Sequence, residues 1–196
     1  MFRGLRVLSV VATVLVPELS LSAIAALAQD RRDYLVFTDP GRRFSIEFPR
    51  TWKWTLVSAS GEPIAVFVHP RSEAAVVVER FRMKLQLSPD EITETFTKAE
   101  SDYIHENQPE ATIKSAALTM AFGRKVILIE YERPGIDRAA QGERVRHYSF
   151  PVGQDLYRVT CMANNSQYAR HLATLDAIVE SLKPAGEISQ STEGRK

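Results

Sequence analysis

The chain has 196 residues, of which 44% are hydrophobic and 25% are charged, the composition of an ordinary globular protein. Its 25 basic and 24 acidic residues leave a formal net charge of +1, without a long run of one sign. This balance argues against a nucleic-acid-binding protein, which normally carries a clustered basic surface, and against a polybasic membrane-surface protein.

The first 28 residues have the regions of a secretory signal peptide. Arg3 and Arg6 form a basic start, residues 7–16 carry no charge, and residues 26–28 (Ala-Leu-Ala) provide the small side chains of a cleavage site. An uncleaved transmembrane anchor is the alternative, but Pro17 interrupts the apolar run well short of the ~20 residues that a span needs. We therefore expect an exported protein, periplasmic or otherwise extracytoplasmic, without stable membrane insertion after cleavage.

The remainder of the chain predicts a single domain over residues 29–184. The tail that follows, residues 185–196, has little to bury and is expected to be disordered. Cys161 is the one cysteine of the sequence, so an exported chain has no internal disulfide and packing alone must hold the fold.

Eight segments rich in β-branched and aromatic residues predict strands. They are residues 44–48, 54–58, 64–69, 74–85, 112–121, 125–133, 144–152 and 156–163. Tight connections such as Gly153 and Gln154 favour antiparallel pairing. In the runs VFV (66–68), AAVVV (74–78) and VILI (126–129), apolar residues do not alternate with polar ones, which predicts that these strands are covered on both faces.

Residues 88–107 predict the first helix, with Ser88 as N-cap, Pro89 at the first helical position and Glu91 completing a capping box. Its apolar residues recur on one helical face. They are Ile92, Phe96, Ala99 and Tyr103.

Residues 166–184 predict the second helix, with Ser166 as N-cap and Lys183 and Pro184 at its end. The apolar stripe of this helix consists of Tyr168, Leu172, Leu175, Val179 and Leu182. Each of the two predicted helices has one apolar face, so each can cover one face of a sheet. The elements therefore predict an α+β fold in which an antiparallel sheet is sandwiched between helices, an α/β/α sandwich.

The segment at 37–52 carries the pattern F-x-D-P-x-x-x-F-S-I-x-x-P-x-x-W, formed by Phe37, Asp39, Pro40, Phe44, Ser45, Ile46, Pro49 and Trp52. A hairpin with the sequence FVHPRSEAAVVVER, the SPDEITE helix, further antiparallel strands and a C-terminal helix follow. In this order the chain resembles the PsbP-like family, which includes the extrinsic PsbP subunit of photosystem II, bacterial relatives and a nuclear Ran-binding protein of the same fold. The resemblance spans about residues 34–184 and implies a sheet between helices and a role in binding or assembly, with no defined partner.

Cys161 and His147 are the residues that a thiol–imidazole enzyme would use. A two-residue loop at Gly153 and Gln154 places His147 opposite Thr160, which puts the thiol and the imidazole on opposite faces of the sheet. A three-residue loop would bring them to the same face, but the turn residues favour the first register. Cys161 is therefore expected to be a small buried hydrophobic residue.

Five cations are candidate binding residues for an anionic ligand or partner. Arg80, Arg82 and Lys84 share one face of a predicted strand, and Arg138 and Arg144 lie in the polar loop at 132–144. The alternative interpretations are a solvated strand end, whose aliphatic stems cover the sheet, and a tolerated loop insertion.

The four histidines are scattered, without HxH, HExxH or CxxC spacing, so we predict no metal site and no cofactor. They are His69, His105, His147 and His171.

The expected function is that of an exported, monomeric, non-enzymatic binding or assembly module. Its partner is an unknown protein or small-molecule ligand and not a nucleic acid. Two alternatives stay open at this point, an envelope enzyme that uses Cys161 as nucleophile or redox group, and a structural or envelope-stress protein.

Overall fold

A computed structural model describes residues 33–59, 62–84, 86–87, 91–135 and 142–185. The expected signal peptide (1–28) and all but the first residue of the expected tail (185–196) lie outside these ranges. The described residues from Tyr34 onward belong to one compact unit. Neither of the described helices is long and apolar enough to cross a membrane.

The described residues contain ten strands and two helices. The strands are β1 (Tyr34–Thr38), β2 (Phe44–Pro49), β3 (Lys53–Ala59), β4 (Glu62–Val68), β5 (Ala74–Arg82), β6 (Thr112–Ala121), β7 (Arg124–Arg133), β8 (Glu143–Val152), β9 (Asp155–Asn164) and β10 (Lys183–Pro184). The helices are α1 (Glu94–Asn107) and α2 (Tyr168–Glu180). All eight predicted strands are present, whereas β1 and β10 were not predicted from the sequence.

The strands form two antiparallel sheets. The large sheet has the order β3-β4-β5-β9-β8-β7-β6, and the small sheet has the order β1-β2-β10. The last hairpin has the predicted register, with His147 opposite Thr160 and Arg146 opposite Cys161. The described residues therefore form an α+β fold, mostly antiparallel sheet with two helices, as the sequence predicts.

Alternate residues of the same strand enter two separate apolar clusters. On β7, Val126 belongs to the larger cluster, while Ile127 and Ile129 belong to the smaller one. The larger cluster also contains residues of the small sheet and of α2, namely Phe37, Phe44, Ile46, Phe48, Leu175, Ile178 and Val179. The smaller cluster contains Ile104 of α1. Successive strand residues point to opposite faces, so the clusters lie on the two faces of the large sheet.

The expectation that the central strands are covered on both faces holds on β7 but not on β4 and β5. Phe67 and Val76 are fully buried, but Val66 and Val77 beside them are only half-buried. The reason is the length of the helix. A helix of 14 residues is about 21 Å long and cannot span a sheet whose seven strands, at their usual spacing, are about 29 Å wide. Helix α1 packs against β6 and β7, so it lies at the far end of the sheet from β4.

Both helices begin later than the sequence predicts. Helix α1 begins at Glu94 with Thr93 at the N-cap position, and Ser88 and Pro89 lie outside the described residues. Helix α2 has Gln167 rather than Ser166 at its N-cap position. In neither helix does the N-cap side chain make a capping hydrogen bond, so a side-chain cap does not fix where these helices begin.

The buried face of α1 also differs from the predicted stripe. Ala99 is exposed, and the buried residues of the helix are Ile104 and the charged Glu100. The stripe of α2 is largely as predicted, with Tyr168, Leu175 and Val179 buried. A charged residue on the buried face of α1 needs polar partners, and the sheet provides them.

The opening motif is explained by turn geometry and core packing. Asp39 is buried, and its carboxylate accepts hydrogen bonds from the Gly41 backbone at 2.9 Å and from Arg43 Nε at 2.6 Å. These bonds close the turn between β1 and β2. Trp52 is buried beside this hairpin, whereas Trp54 is 51% exposed.

Candidate functional site

A network of polar side chains is buried between α1 and the large sheet. Glu100 Oε1 accepts a hydrogen bond from Arg158 Nη2 at 2.8 Å, and Glu100 Oε2 accepts one from Arg158 Nε at 3.0 Å. Ser149 Oγ donates to the same Oε2 at 2.7 Å, and His147 Nε2 lies 3.3 Å from it. One carboxylate on α1 thus holds side chains from both β8 and β9.

The guanidinium group of Arg158 is enclosed by aromatic rings as well as by the carboxylate. Its central carbon lies 3.7 Å from the ring centroid of Tyr103 and 4.7 Å from that of Phe81. Aromatic faces and a bidentate carboxylate both attract a guanidinium group. The positive charge is therefore compensated although Arg158 is buried.

The network keeps Glu100 ionised. Burial by itself raises the pKa of a carboxyl group, but hydrogen bonds from His147 and Arg158 outweigh it and lower the pKa of Glu100 to about 2. Glu79 lies nearby, and burial raises the pKa of that carboxyl group although the charge of Arg158 opposes this shift.

We expect the stability of the protein to fall as the pH drops from about 4.5 to about 2. The folded pKa of Glu100 lies below its ordinary value of 4.5, so its contribution is present above pH 4.5 and is lost as the pH falls through the folded pKa. The shift corresponds to roughly 3 kcal/mol of unfolding free energy. Urea unfolding at a series of pH values measures it, and Glu100→Gln should show a flatter pH dependence in this range. Parallel curves for wild type and variant would contradict the prediction.

Ser149, His147 and Glu100 have the composition of a catalytic triad but not its geometry. In a triad the carboxylate and the hydroxyl bind different ring nitrogens. Here Ser149 Oγ lies 3.1 Å from Nε2, the same nitrogen that faces Glu100, while Nδ1 lies 3.0 Å from Thr160 Oγ1. The Ser149 hydroxyl is fully buried and donates to the carboxylate, so it is not an activated nucleophile.

Cys161 and His147 do not form a pair. They point to opposite faces of β9 and β8, with Cys161 in the larger apolar cluster and His147 in the polar network. Burial raises the pKa of the Cys161 thiol, which disfavours the nucleophilic thiolate. The thiol therefore has the environment of a buried hydrophobic residue.

Arg80 and Arg82 lie together at the end of β5. Arg80 Nη2 lies 3.1 Å from Asp155 Oδ1, and Arg82 Nη1 lies 3.6 Å from the same oxygen. The Arg82 side chain is 61% exposed, and Lys84, just past the end of the strand, is exposed. These three predicted residues therefore do lie at one end of the large sheet.

The two loop cations do not join them. Arg138 lies outside the described residues. Arg144 stacks on Tyr168 of α2, with its guanidinium carbon 4.8 Å from the ring centroid. On β9, Arg144 pairs with Ala163 and Arg80 pairs with Tyr157, a separation of about 20 Å along the strand.

A second polar cluster lies where the β4–β5 turn meets α2. It consists of His69, Glu73 and His171, whose nearest imidazole nitrogens and carboxylate oxygen all lie within 4.8 Å of one another. His171 Nε2 is 3.2 Å and His69 Nδ1 is 3.8 Å from Glu73 Oε2, and the imidazole centroids are 4.6 Å apart. A hydrogen bond from His171 lowers the pKa of Glu73, while burial and then the neighbouring His171 lower the pKa of His69.

Comparison with known proteins identifies the fold. No family model matches the sequence, and no curated protein matches it. The solved structure of the cyanobacterial PsbP protein CyanoP from Synechocystis matches with a TM-score of 0.58 at 11% identity, covering 78% of this chain and 92% of that chain. The chain has the PsbP-like fold.

Two further structures agree with the PsbP-like fold. The Ran-binding protein Mog1p of Saccharomyces cerevisiae matches with a TM-score of 0.51 at 8% identity, covering 78% of this chain and 95% of that chain. A protein from Bacteroides thetaiotaomicron matches with a TM-score of 0.56 at 14% identity, and this chain spans 48% of its length. The resemblance predicted from the opening motif is therefore confirmed at the level of the fold.

Sequence spacing could not reveal either polar cluster of this PsbP-like chain. Glu100 is 47 residues from His147 and 58 from Arg158, and Glu73 is 98 residues from His171. A metal motif or triad motif is recognised by short spacing or by local context. Here the strand order β5-β9-β8 and the docking of both helices bring the partners together.

Proposed function

We propose that the chain is an exported, non-enzymatic binding or assembly module. The observation that carries this proposal is that the reactive groups considered for catalysis, Cys161 and Ser149, are buried and engaged in packing or hydrogen bonds. The PsbP-like fold supports it, since it is shared with CyanoP and with a Ran-binding protein. The partner is a protein, and export follows from the signal peptide expected at residues 1–28.

The proposed contact surface is the exposed end of β5, formed by Arg82 and Lys84 with Arg80 beside them. Arg80 and Arg82 both lie near Asp155, but the side chain of Arg80 is 13% exposed and that of Arg82 is 61% exposed, so Arg82 and the exposed Lys84 are the residues available to an acidic partner. Arg144 lies at the other end of β9 and is not part of this surface, and Arg138 is retained only as a prediction.

We propose that residues 29–184 form an α/β/α sandwich, which positions this surface. We also propose that the protein functions as a monomer. The support for the layers is that residues of α2 and of the small sheet enter one apolar cluster, while Ile104 of α1 enters the other.

Chemical crosslinking in intact cells that produce the protein, followed by recovery from the periplasmic fraction, tests the proposal. We expect one reproducible protein partner, and we expect Arg82→Glu combined with Lys84→Glu to reduce its recovery at least tenfold, because charge reversal repels an acidic surface. Lys53→Glu, an exposed cation on β3, is the matched control and should leave recovery unchanged.

Two outcomes would argue against the proposal. The absence of any reproducible partner would favour the structural or envelope-stress alternative. Loss of a robust cellular activity in a Cys161→Ser variant that still folds would favour the enzyme alternative, because a thiol that only packs in the core is not needed for function once the fold is intact.

A further inference from the structure

We propose that His69, Glu73 and His171 form a binding site for a divalent first-row transition metal ion, with zinc as the expected occupant. Two imidazoles and one carboxylate are a donor set that zinc uses in proteins, with further positions filled by water or another ligand. Calcium and magnesium prefer sites made of oxygen atoms. The donor chemistry therefore selects a transition metal.

The spacing of the donor atoms is close to that of a tetrahedral site. Zinc–ligand bonds of about 2.0–2.1 Å place neighbouring donor atoms about 3.4 Å apart. His171 Nε2 and Glu73 Oε2 are 3.2 Å apart, and His69 Nδ1 and the same oxygen are 3.8 Å apart. All three donor atoms lie within 4.8 Å of one another. Side-chain rotations that move each donor atom by about 1 Å would therefore close the site on an ion.

The hydrogen bonding of His69 shows which of its ring nitrogens would be the ligand. The Arg71 backbone N–H donates to His69 Nδ1 at 3.3 Å, which uses this nitrogen as an acceptor. The same Nδ1 also faces the acceptor oxygen of Glu73 at 3.8 Å. Nδ1 therefore carries its lone pair rather than a proton, and a bound ion would take this lone pair in place of the long hydrogen bond from Arg71.

Backbone hydrogen bonds hold the elements that carry the ligands. The His69 N–H donates to the Ala74 carbonyl at 2.9 Å, which closes the β4–β5 turn. The Asn164 N–H donates to the Glu73 carbonyl at 3.1 Å, which fixes this turn against the end of β9. His171 follows in the first turns of α2, so the three ligands are positioned by rigid elements.

The site is also open to solvent on one side. The side chains of His69 and Glu73 are 21% and 19% exposed, whereas that of His171 is 8% exposed. Solvent can therefore reach the ion and supply a water ligand. A bound ion would crosslink the β4–β5 turn to α2, and its open position is available to a donor from another molecule.

The test is zinc binding by the purified full-length chain after metal removal, measured by competition with a chromophoric chelator. We expect one ion per chain, and we expect Glu73→Gln and His171→Ala each to weaken binding at least tenfold, since each removes a ligand. His105→Ala is the matched control, because His105 is an exposed histidine on α1, and this variant should bind as wild type does. The absorption spectrum of bound cobalt(II) reports the coordination geometry.

His171 is buried, so His171→Ala requires a check by circular dichroism that it folds. Glu73→Gln keeps the shape of a partly exposed side chain, so this variant is expected to fold. It therefore tests the site even if His171→Ala does not fold. Zinc should raise the melting temperature of wild type and not that of Glu73→Gln, and magnesium should raise neither. Two results would overturn the proposal. One is that folded Glu73→Gln binds zinc with wild-type affinity, and the other is that His105→Ala loses as much zinc affinity as Glu73→Gln does.

Discussion

Glu100→Gln should lower the free energy of unfolding by about 3–5 kcal/mol at neutral pH. The substitution preserves the shape of the side chain but removes its negative charge. Arg158 would then remain buried with a positive charge that has lost its hydrogen-bonded carboxylate partner, although the rings of Tyr103 and Phe81 still lie against it. Breaking a buried ion pair from one side is costly because the remaining charge has lost its solvent and its partner.

The same helix provides the control. Asp102 pairs with Lys98 at 2.6 Å, but their side chains are 53% and 74% exposed. Pairs of this kind contribute about 0.3–0.5 kcal/mol, so Asp102→Asn should be nearly neutral. Urea denaturation of the two variants measures the difference. Equal small losses for both would show that the buried network does not hold α1 on the sheet.

A double variant separates the ion pair from its surroundings. Arg158→Gln combined with Glu100→Gln removes both charges, so no unpaired charge stays buried. We expect the double variant to be less destabilised than the sum of the single variants, by about 0.5–3 kcal/mol. Strict additivity would mean that the two side chains act independently, in conflict with their paired hydrogen bonds.

The strands and their pairing could be predicted because their signals are local. Runs of β-branched residues bounded by turn residues gave all eight predicted strands, and the two-residue turn at Gly153 set the register that places His147 opposite Thr160. The turn needs a residue with positive φ, and Gly153 has φ of 62°. Strand β10 has two residues and pairs with Ser45 and Phe44, and so short a segment carries no pattern of its own.

The buried face of α1 could not be predicted because hydrophobic periodicity treats every charged residue as exposed. Ala99 fits the apolar stripe, yet Glu100 is the residue that is buried. The reason is tertiary, since Arg158, Ser149 and His147 come from strands distant in sequence. The same reason hides the proposed metal site, because Glu73 and His171 meet only when α2 lies against the β4–β5 turn.

The face of the large sheet that packs against the small sheet should contribute strongly to stability. Phe67→Ala should lower the free energy of unfolding by about 3–5 kcal/mol, as expected for a large buried side chain that leaves a cavity. Phe67 is fully buried and joins the large sheet to the small one, with its ring centroid 4.9 Å from that of Phe48 and 5.4 Å from that of Phe37. Its loss removes contacts from both sheets at once.

Val57→Ala is the control for the other face. Val57 pairs with Ile64 on β4, lies on the face opposite Phe67 and is 44% exposed. A surface substitution of this kind is expected to change stability by no more than about 0.5 kcal/mol. Thermal and urea unfolding of the two variants compare the faces directly. A loss in Val57→Ala as large as that in Phe67→Ala would mean that the outer strands are covered on both faces, as the apolar runs of the sequence first suggested.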